Sequence, residues 1–263
     1  MGPSSPSMTA PPGEAEALKG PETPMPSSPG DRVHRLSVRA GATLWVLGVA
    51  GFLFGMGVTQ LGWDLLRSGP TPVYSLLHNY ISDLGAVSCG PLPGRYVCSP
   101  WHEVFDLSAV ALGTLLILGS ALLWDHLPGA RSSSVGLVFL LLAGIGAMGV
   151  GLSPEDVNLT VHTASAAVAF LFANLGVLVL GIGWARLSQG RTWGAYSIVS
   201  GLVGLLALGL FGLKAYGPLY VGGMERLVVA PVLLWAILVG VAVLVGRRGL
   251  FAGGLAPKDP APP

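Results

Sequence analysis

The sequence has few charged residues and only two cysteines. Asp, Glu, Lys and Arg make up 10% of the 263 residues and hydrophobic residues 52%, whereas a soluble domain carries about 25% charged residues. The net charge is +1, and no stripe of basic residues interleaved with aromatic ones occurs, which excludes nucleic acid as a partner. The motifs His-Glu-x-x-His and Gly-x-Ser-x-Gly are missing, so two common hydrolase sites are excluded as well.

Long apolar segments dominate what is present. A transmembrane helix needs about 20 predominantly apolar residues, and no alternating pattern of the kind that a membrane barrel needs occurs. The sequence therefore predicts an all-α polytopic membrane protein with six transmembrane helices, paired as three hairpins, and a long first outer loop with a short helical segment. The six segments are residues 41–62, 104–124, 135–152, 161–184, 193–213 and 227–246.

The two ends of the chain differ from this middle part. Residues 2–30 are rich in Pro, Ser, Gly and Glu, a composition that cannot bury enough apolar surface to fold. We expect a disordered cytoplasmic tail over residues 1–38, a transmembrane domain over 39–248 and a second disordered cytoplasmic tail over 249–263. The first apolar segment is full length and no signal peptide precedes it, so it is expected to act as an uncleaved signal-anchor.

Basic residues predict the orientation of the helices. With the N-terminus inside, ten basic residues fall on the cytoplasmic side and only Arg67, Arg95, Lys214 and Arg226 on the other. Because cytoplasmic segments carry an excess of Lys and Arg, we expect a multi-pass protein of the plasma membrane with both termini in the cytoplasm. The ten are Lys19, Arg32, Arg35, Arg39, Arg131, Arg186, Arg191, Arg247, Arg248 and Lys258.

The two cysteines lie in the long first loop. Cys89 and Cys98 flank a Gly- and Pro-rich turn over residues 90–94, on the side of the membrane where disulfides form. Their spacing differs from that of a Cys-x₂₋₄-Cys zinc pair. We predict a disulfide, with two unpaired thiols as the alternative.

Two patterns in the sequence predict how the helices pack: one of glycines and one of tryptophans. Glycines recur at three- and four-residue spacing in the first, third and fifth segments, which favours close helix approach in lipid. Six tryptophans fall near segment ends, as expected of an aromatic belt at the membrane surface. They are Trp45, Trp63, Trp101, Trp124, Trp184 and Trp193.

Most residues capable of chemistry lie at the outer face that this topology predicts. Glu103, Glu155 and Asp156 have a simple explanation, because acids are favoured in the first turn of a helix, and Ser153-Pro154 is typical of a helix start. The remaining residues have no such explanation and are expected to converge. They are His78, Asp83, His102, Asp106, His162 and Arg226, with Glu225 between the two groups.

The first loop is about 40 residues long, which is more than a simple connection needs. If residues 74–85 form a short helix on the membrane surface, Asn79 and Asp83 share one face and His78 and Ser82 form the neighbouring row. This face is either a metal or substrate site, or it docks onto the bundle through hydrogen bonds and caps it.

Ionisable residues also open three of the spans. His102 and Asp106 lie one turn apart, and an unpaired charge at that depth costs about 2.5–3.5 kcal/mol, so Asp106 must face a wet cavity or a partner. His162 likewise requires a cavity or a hydrogen-bond partner.

Arg226 follows Glu225 at the start of the last span. Arg226 either pairs with Asp83 or Asp106, or it binds an anionic headgroup.

The run HNYISDLG over residues 78–85, followed by Ser99-Pro100, resembles a motif of a prokaryotic six-helix membrane family catalogued as domain of unknown function 998. The run GVGLSPED over 149–156 with His162, and GGMERL over 222–227, are similar to its other motifs. The resemblance covers about residues 41–246. It implies the six-helix fold and a membrane location, and it implies no activity.

Two functions remain open. The first is an enzyme that processes a lipid or lipid-linked substrate at the outer face, with Asn79, Ser82, Glu225 and Arg226 binding the ligand. Its candidate catalytic residues are His78, Asp83, His102, Asp106 and His162, and the three histidines could hold a zinc ion. The alternative is a non-enzymatic transport, sensing or scaffold protein in which the polar cluster is structural.

Overall fold

Six long helices form most of the chain. The computed structural model describes residues 2, 29–67 and 71–246, and within these residues six helices are long and apolar enough to cross a membrane. This confirms the all-α, polytopic membrane fold. The helices are α1 (Pro29–Leu66), α2 (His102–Leu122), α3 (Ala130–Leu152), α4 (Leu159–Ala185), α5 (Arg191–Gly212) and α6 (Tyr220–Leu244).

The first helix is longer than its apolar segment. It begins at Pro29, so residues 29–38, which were predicted to belong to the disordered tail, are helical instead. No glycine or proline interrupts the chain between Gly30 and Gly41, and the helix therefore continues through this polar stretch. Apart from Gly2, the rest of the two predicted tails lies outside the described residues, with Lys19, Arg247, Arg248 and Lys258.

The helices form a ring in chain order. Each helix packs against the next, α6 packs against α1, and α4 also contacts α6, which leaves α5 outside a smaller ring of five helices. The C-terminal ends of α1, α3 and α5 and the N-terminal ends of α2, α4 and α6 lie at the same end of the bundle. We call this the cap end, because the first loop covers it, and the opposite end the terminal end.

Glycines allow the helices to approach closely. A Cβ atom added to Gly113 of α2 would lie 2.3 Å from the carbonyl oxygen of Gly144 in α3, so any larger residue at this position would separate the two helices. Lipid supplies little hydrophobic drive for helix association, and close backbone packing replaces it. The glycine spacing in the sequence predicts this kind of contact.

Several tryptophans lie inside the bundle. Trp45, Trp63 and Trp184 are no more than 2% exposed, so their assignment to an aromatic belt is wrong. Trp235 of α6 contacts both Trp45 and Trp184 and donates a hydrogen bond to the Ser197 hydroxyl at 2.7 Å. Indole rings bury a large apolar area, and Trp45, Trp184 and Trp235 form the core of the terminal half.

The first loop folds as a compact cap instead of a surface helix. It contains a 3₁₀ turn over Ser82–Gly85 and an antiparallel hairpin of β1 (Gly90–Leu92) and β2 (Arg95–Val97). A disulfide between Cys89 and Cys98 closes the hairpin.

Apolar burial fixes this loop on the helices. Ile81, Leu84 and Val97 are buried in one cluster with Trp63 of α1 and Phe105 of α2. These apolar contacts hold the first loop against α1 and α2.

Candidate functional site

A buried ion network lies at the cap end. Asp83 of the 3₁₀ turn accepts a hydrogen bond from Nε of Arg95 at 2.7 Å, and Glu155, between α3 and α4, accepts one from the same guanidinium at 2.9 Å. Asp83 is fully buried and Glu155 is 7% exposed. We call Asp83, Arg95 and Glu155 the cap network, which joins three separate segments of the chain.

Neighbouring groups satisfy the remaining atoms of the cap network. Asn79 Nδ2 donates to Asp83 Oδ2 at 2.9 Å, so Asn79 and Asp83 do meet, although no regular helix holds them. The Ser82 hydroxyl donates to Glu155 Oε2 at 3.1 Å. The Arg95 guanidinium lies 4.3 Å from the centre of the Tyr80 ring, a cation–π distance.

The two carboxyl groups of the cap network compete for one cation. Burial and the neighbouring Asp83 raise the pKa of Glu155 to about 8, although Arg95 opposes this shift. Burial lowers the pKa of Arg95, but the two carboxyl groups more than offset this, so the pKa rises above its usual value. The buried Glu155 carboxyl therefore holds its proton more tightly than a free carboxyl does, while the Arg95 guanidinium stays charged.

Arg226 fastens the first loop to α6. Its guanidinium bonds to neutral groups of the loop and of α6, so the pairing with Asp83 or Asp106, one of the two alternatives that the sequence left open, does not occur. NH2 donates to the Tyr74 hydroxyl at 2.5 Å. NH1 donates to the carbonyl oxygens of Leu76, Asn79 and Gly222 at 2.9–3.0 Å.

Glu225 forms a second contact between α6 and the loop. Its carboxylate accepts a hydrogen bond from the backbone N–H of Ile81, and the side chain is 5% exposed. Adjacent residues of α6 thus bind different groups of the same loop. Arg226 binds carbonyl groups, and Glu225 binds an amide.

The three candidate histidines have separate partners. His78 Nδ1 lies 3.0 Å from the Ser75 hydroxyl, and its ring packs on Tyr220. His162 Nδ1 donates to the carbonyl oxygen of Ser153 at 2.9 Å. Within the described residues, no group of three His, Cys, Asp or Glu side chains is placed to hold a metal ion. The three histidines therefore do not form the predicted zinc site, which needs three or four converging ligands.

His102 and Asp106 form a pair at the start of α2. His102 Nδ1 lies 3.3 Å from Asp106 Oδ2, as their spacing of four residues predicts. In the described part of the chain, the buried Oδ1 of Asp106 has no hydrogen-bond partner, and it packs against Gly85, where an added Cβ would lie 2.5 Å away. A carboxylate in this position can orient an imidazole as a base.

An apolar cavity lies beneath the cap network. It has a volume of about 110 Å³ and is lined by side chains of α1, α2, α3, α4 and α6 and by Ile81 and Ser82 of the loop. Along α2 the lining runs from Phe105 to Leu116, and the eleven steps between these residues, at 1.5 Å each, correspond to about 17 Å. The cavity is therefore long and narrow.

Polar groups lie at the two ends of this cavity. Ser82, His162 and Glu225 line its cap end, and Asn174 of α4 lines the deeper part. Asn174 Nδ2 donates to the carbonyl oxygens of Phe170 and Val228, so the amide ties α4 to α6. The rest of the lining is apolar.

The chain matches a family model over residues 68–242, and the description of that model is protein of unknown function, DUF998. The chain belongs to this family. No curated protein and no solved structure matches the chain. The matched range contains the cap network, Arg226 and the three motifs described in the sequence analysis. It also contains the cavity-lining residues of the first loop and of α2, α3, α4 and α6, but not those of α1.

Sequence reasoning missed two members of the cap network in this DUF998 protein. Arg95 was used only to predict orientation. Glu155 and Asp156 were interpreted as acids in a first helical turn with Ser153 as N-cap, but α4 begins at Leu159 and its N-cap is Asn158. Asp156 instead accepts the backbone N–H groups of Val87 and Ser88.

The cavity was missed as well, although the sequence carries a signal for it. Small residues recur at three- and four-residue spacing on the cavity-facing sides of two adjacent helices, and this spacing places them on one face. Such a face leaves space where larger side chains would fill it. The residues are Ala143 and Ala147 of α3 and Ala166, Ala169 and Ala173 of α4.

Proposed function

We propose that this DUF998 protein binds the apolar chain of a lipid-like molecule in its central cavity, and that the first loop closes the bundle over that chain. The observation that carries the proposal is the cavity itself. It is apolar along most of its length and has three of its four polar lining residues, Ser82, His162 and Glu225, at the cap end, which matches the distribution of polarity in an amphiphilic molecule.

The dimensions of the cavity favour a chain over a compact ring system. An engineered cavity of about 150 Å³ stays dry and binds benzene, so about 110 Å³ is enough for a small apolar group. Here that volume extends over about 17 Å of helix. A single alkyl or isoprenoid chain has such a shape.

The cap network supports binding over catalysis. Asp83, Arg95 and Glu155 pair with one another, and a group that is held in this way stabilises a fold better than it attacks a substrate. This corresponds to the non-enzymatic alternative, in which the polar cluster is structural. The candidate catalytic histidines lie in separate contacts, so coordination of one zinc ion by all three has no support.

For its location we propose the plasma membrane, with both termini in the cytoplasm and the cap end outside. The excess of basic residues on the terminal side favours this orientation. The disulfide between Cys89 and Cys98 at the cap end also favours it, because disulfides form in oxidising compartments.

Photolabelling tests the proposed binding. The full chain in phosphatidylcholine nanodiscs is irradiated with dodecyl probes that carry a diazirine in the chain and either a hydroxyl or a phosphate head, and the labelled residues are mapped by mass spectrometry. We expect label on cavity-lining residues. The double variant Ala166→Leu/Ala173→Leu should lose that label, because the larger side chains fill the cavity.

A matched control keeps this experiment interpretable. Ala164 and Ala167 lie on the exposed side of the same helix, so Ala164→Leu/Ala167→Leu should keep the cavity label. If both probes label only lipid-facing residues, or if the two double variants behave alike, the proposed function is wrong.

A further inference from the structure

We infer that the head of the bound molecule is an uncharged hydrogen-bond donor, namely the hydroxyl of a long-chain or isoprenoid alcohol. This inference rests on the proposed function and specifies the class of ligand. It follows from two observations. The polar side chains at the cap end of the cavity present hydrogen-bond acceptors, and the nearby cations already bind groups of the protein.

The polar side chains at the cap end present acceptors. The Ser82 hydroxyl uses its proton for Glu155, which leaves its oxygen as an acceptor. His162 Nδ1 faces the carbonyl of Ser153, and a carbonyl only accepts, so Nδ1 carries the proton and Nε2 of the neutral ring accepts. Glu225 accepts the Ile81 N–H through Oε2, and a carboxylate has further acceptor positions.

The amide donors deeper in the cavity are already used. Asn174 Nδ2 donates to the carbonyl oxygens of Phe170 and Val228. Its Oδ1 points at Gly204, where an added Cβ would lie 1.7 Å away. A ligand head that only accepts hydrogen bonds therefore meets mainly acceptors, whereas a hydroxyl proton has three candidate partners, on Ser82, His162 and Glu225.

The cations near the cavity are not available to an anionic head. Arg95 binds Asp83 and Glu155, and Arg226 is directed at the Tyr74 hydroxyl and backbone carbonyl groups of the first loop. A phosphate or carboxylate head would lie beside Glu225 without a counter-charge, and burying an unpaired charge is strongly unfavourable. The charges thus argue against a phospholipid or a fatty acid.

Three compounds that share a dodecyl chain and differ in their head group test this inference. Full-length protein in phosphatidylcholine nanodiscs is labelled with the hydroxyl probe at neutral pH, with 1-dodecanol, dodecyl methyl ether or monododecyl phosphate as competitor at equal mole fraction in the bilayer. The alcohol should compete about tenfold better than the ether, because the ether leaves buried acceptors without a donor. It should exceed the phosphate by at least the same factor.

A variant connects the preference to the cavity. Glu225→Gln keeps an oxygen that can accept the Ile81 N–H, so the loop contact is preserved, and it replaces the other oxygen by a donor amide. We expect the ratio between alcohol and phosphate competition to fall several-fold. Glu103→Gln, on the exposed side of α2, should leave the ratio unchanged.

The outcomes separate the inference from the proposed function. If the phosphate competes as well as the alcohol, or if the ether does, the inference is wrong while cavity binding stands. If only the phosphate probe labels the cavity, the inference is again wrong and cavity binding again stands. If Glu225→Gln folds, as judged by its thermal unfolding, and retains the full preference, the selectivity does not come from this site and the inference is overturned.

Discussion

The guanidinium of Arg95 lies 2.9 Å from the carboxylate of Glu155, although 60 residues separate them in the chain. This contact connects the hairpin of the first loop to the turn between α3 and α4. The same guanidinium binds the fully buried Asp83, so a single side chain fixes both the loop and the turn above the cavity.

Removing Arg95 should destabilise the protein. Arg95→Met keeps most of the side-chain volume but leaves the buried Asp83 without its cation, and the loss of one partner of a buried ion pair costs about 3 kcal/mol. Thermal unfolding in nanodiscs measures the effect. Arg67→Met is the control, because Arg67 is exposed at the end of α1, and equal unfolding temperatures for the two variants would contradict the role of the cap network.

The stability of the cap should fall as the pH rises. The pKa of Glu155 is raised to about 8 from a usual value of 4.5 by burial and by Asp83, so the folded state binds this proton more tightly than the unfolded state does. The resulting stabilisation is complete below about pH 4.5 and is lost as the pH rises through 8. Glu155→Gln, which cannot ionise, should therefore lose less stability than the wild type between pH 6 and about pH 9.

Unfolding temperatures of both proteins across this range are the measurement. The comparison with the variant cancels the titration of all other groups. Parallel curves for wild type and variant would show that Glu155 does not titrate in this window.

Opening the disulfide should loosen the hairpin that positions Arg95. Cys89 and Cys98 are nine residues apart, and a loop of this size corresponds to about 2–3 kcal/mol in the chain-entropy description. A membrane-permeant reductant should lower the unfolding temperature of the wild type. The double variant Cys89→Ser/Cys98→Ser should unfold at the lower temperature with or without reductant. A response of this variant to the reductant would point to an unrelated effect.

The contact of Gly204 with Asn174 should not tolerate a methyl group. An added Cβ at Gly204 would lie 1.7 Å from Asn174 Oδ1, so Gly204→Ala must move the amide away from its partners on α4 and α6, at a cost of about 1–3 kcal/mol. Gly209 of the same helix has open space around it. Gly209→Ala should be neutral or stabilising by up to about 1 kcal/mol, and similar unfolding temperatures for the two variants would show that the amide contact contributes little.

Much of the fold follows from local sequence patterns. Apolar length predicts all six spans, and the two cysteines on either side of a Gly- and Pro-rich segment predict the disulfide between Cys89 and Cys98. The four-residue spacing of Asn79 and Asp83 predicts their contact, because even irregular turns bring residues at this spacing together. Such inferences succeed where sequence neighbours determine the geometry.

The cap network and the cavity depend on packing between distant segments. Arg95 meets Glu155 only because Ile81 and Leu84 bury themselves beside Phe105 and thereby set the position of the whole loop. No periodic pattern in the sequence predicts the position of the first loop. The cavity likewise is the space left over among five helices, and its existence depends on how their side chains interlock.

The position of α5 makes the bundle unequal on its different sides. Because α5 covers the contact between α4 and α6 from outside, a molecule that approaches sideways from the bilayer cannot pass there without displacing a whole helix. At the other seams of the five-helix ring, no further helix of the described chain covers the contact between neighbours. Lateral exchange of a bound chain would therefore be confined to those seams, which gives the protein a closed flank and an open flank within the plane of the membrane.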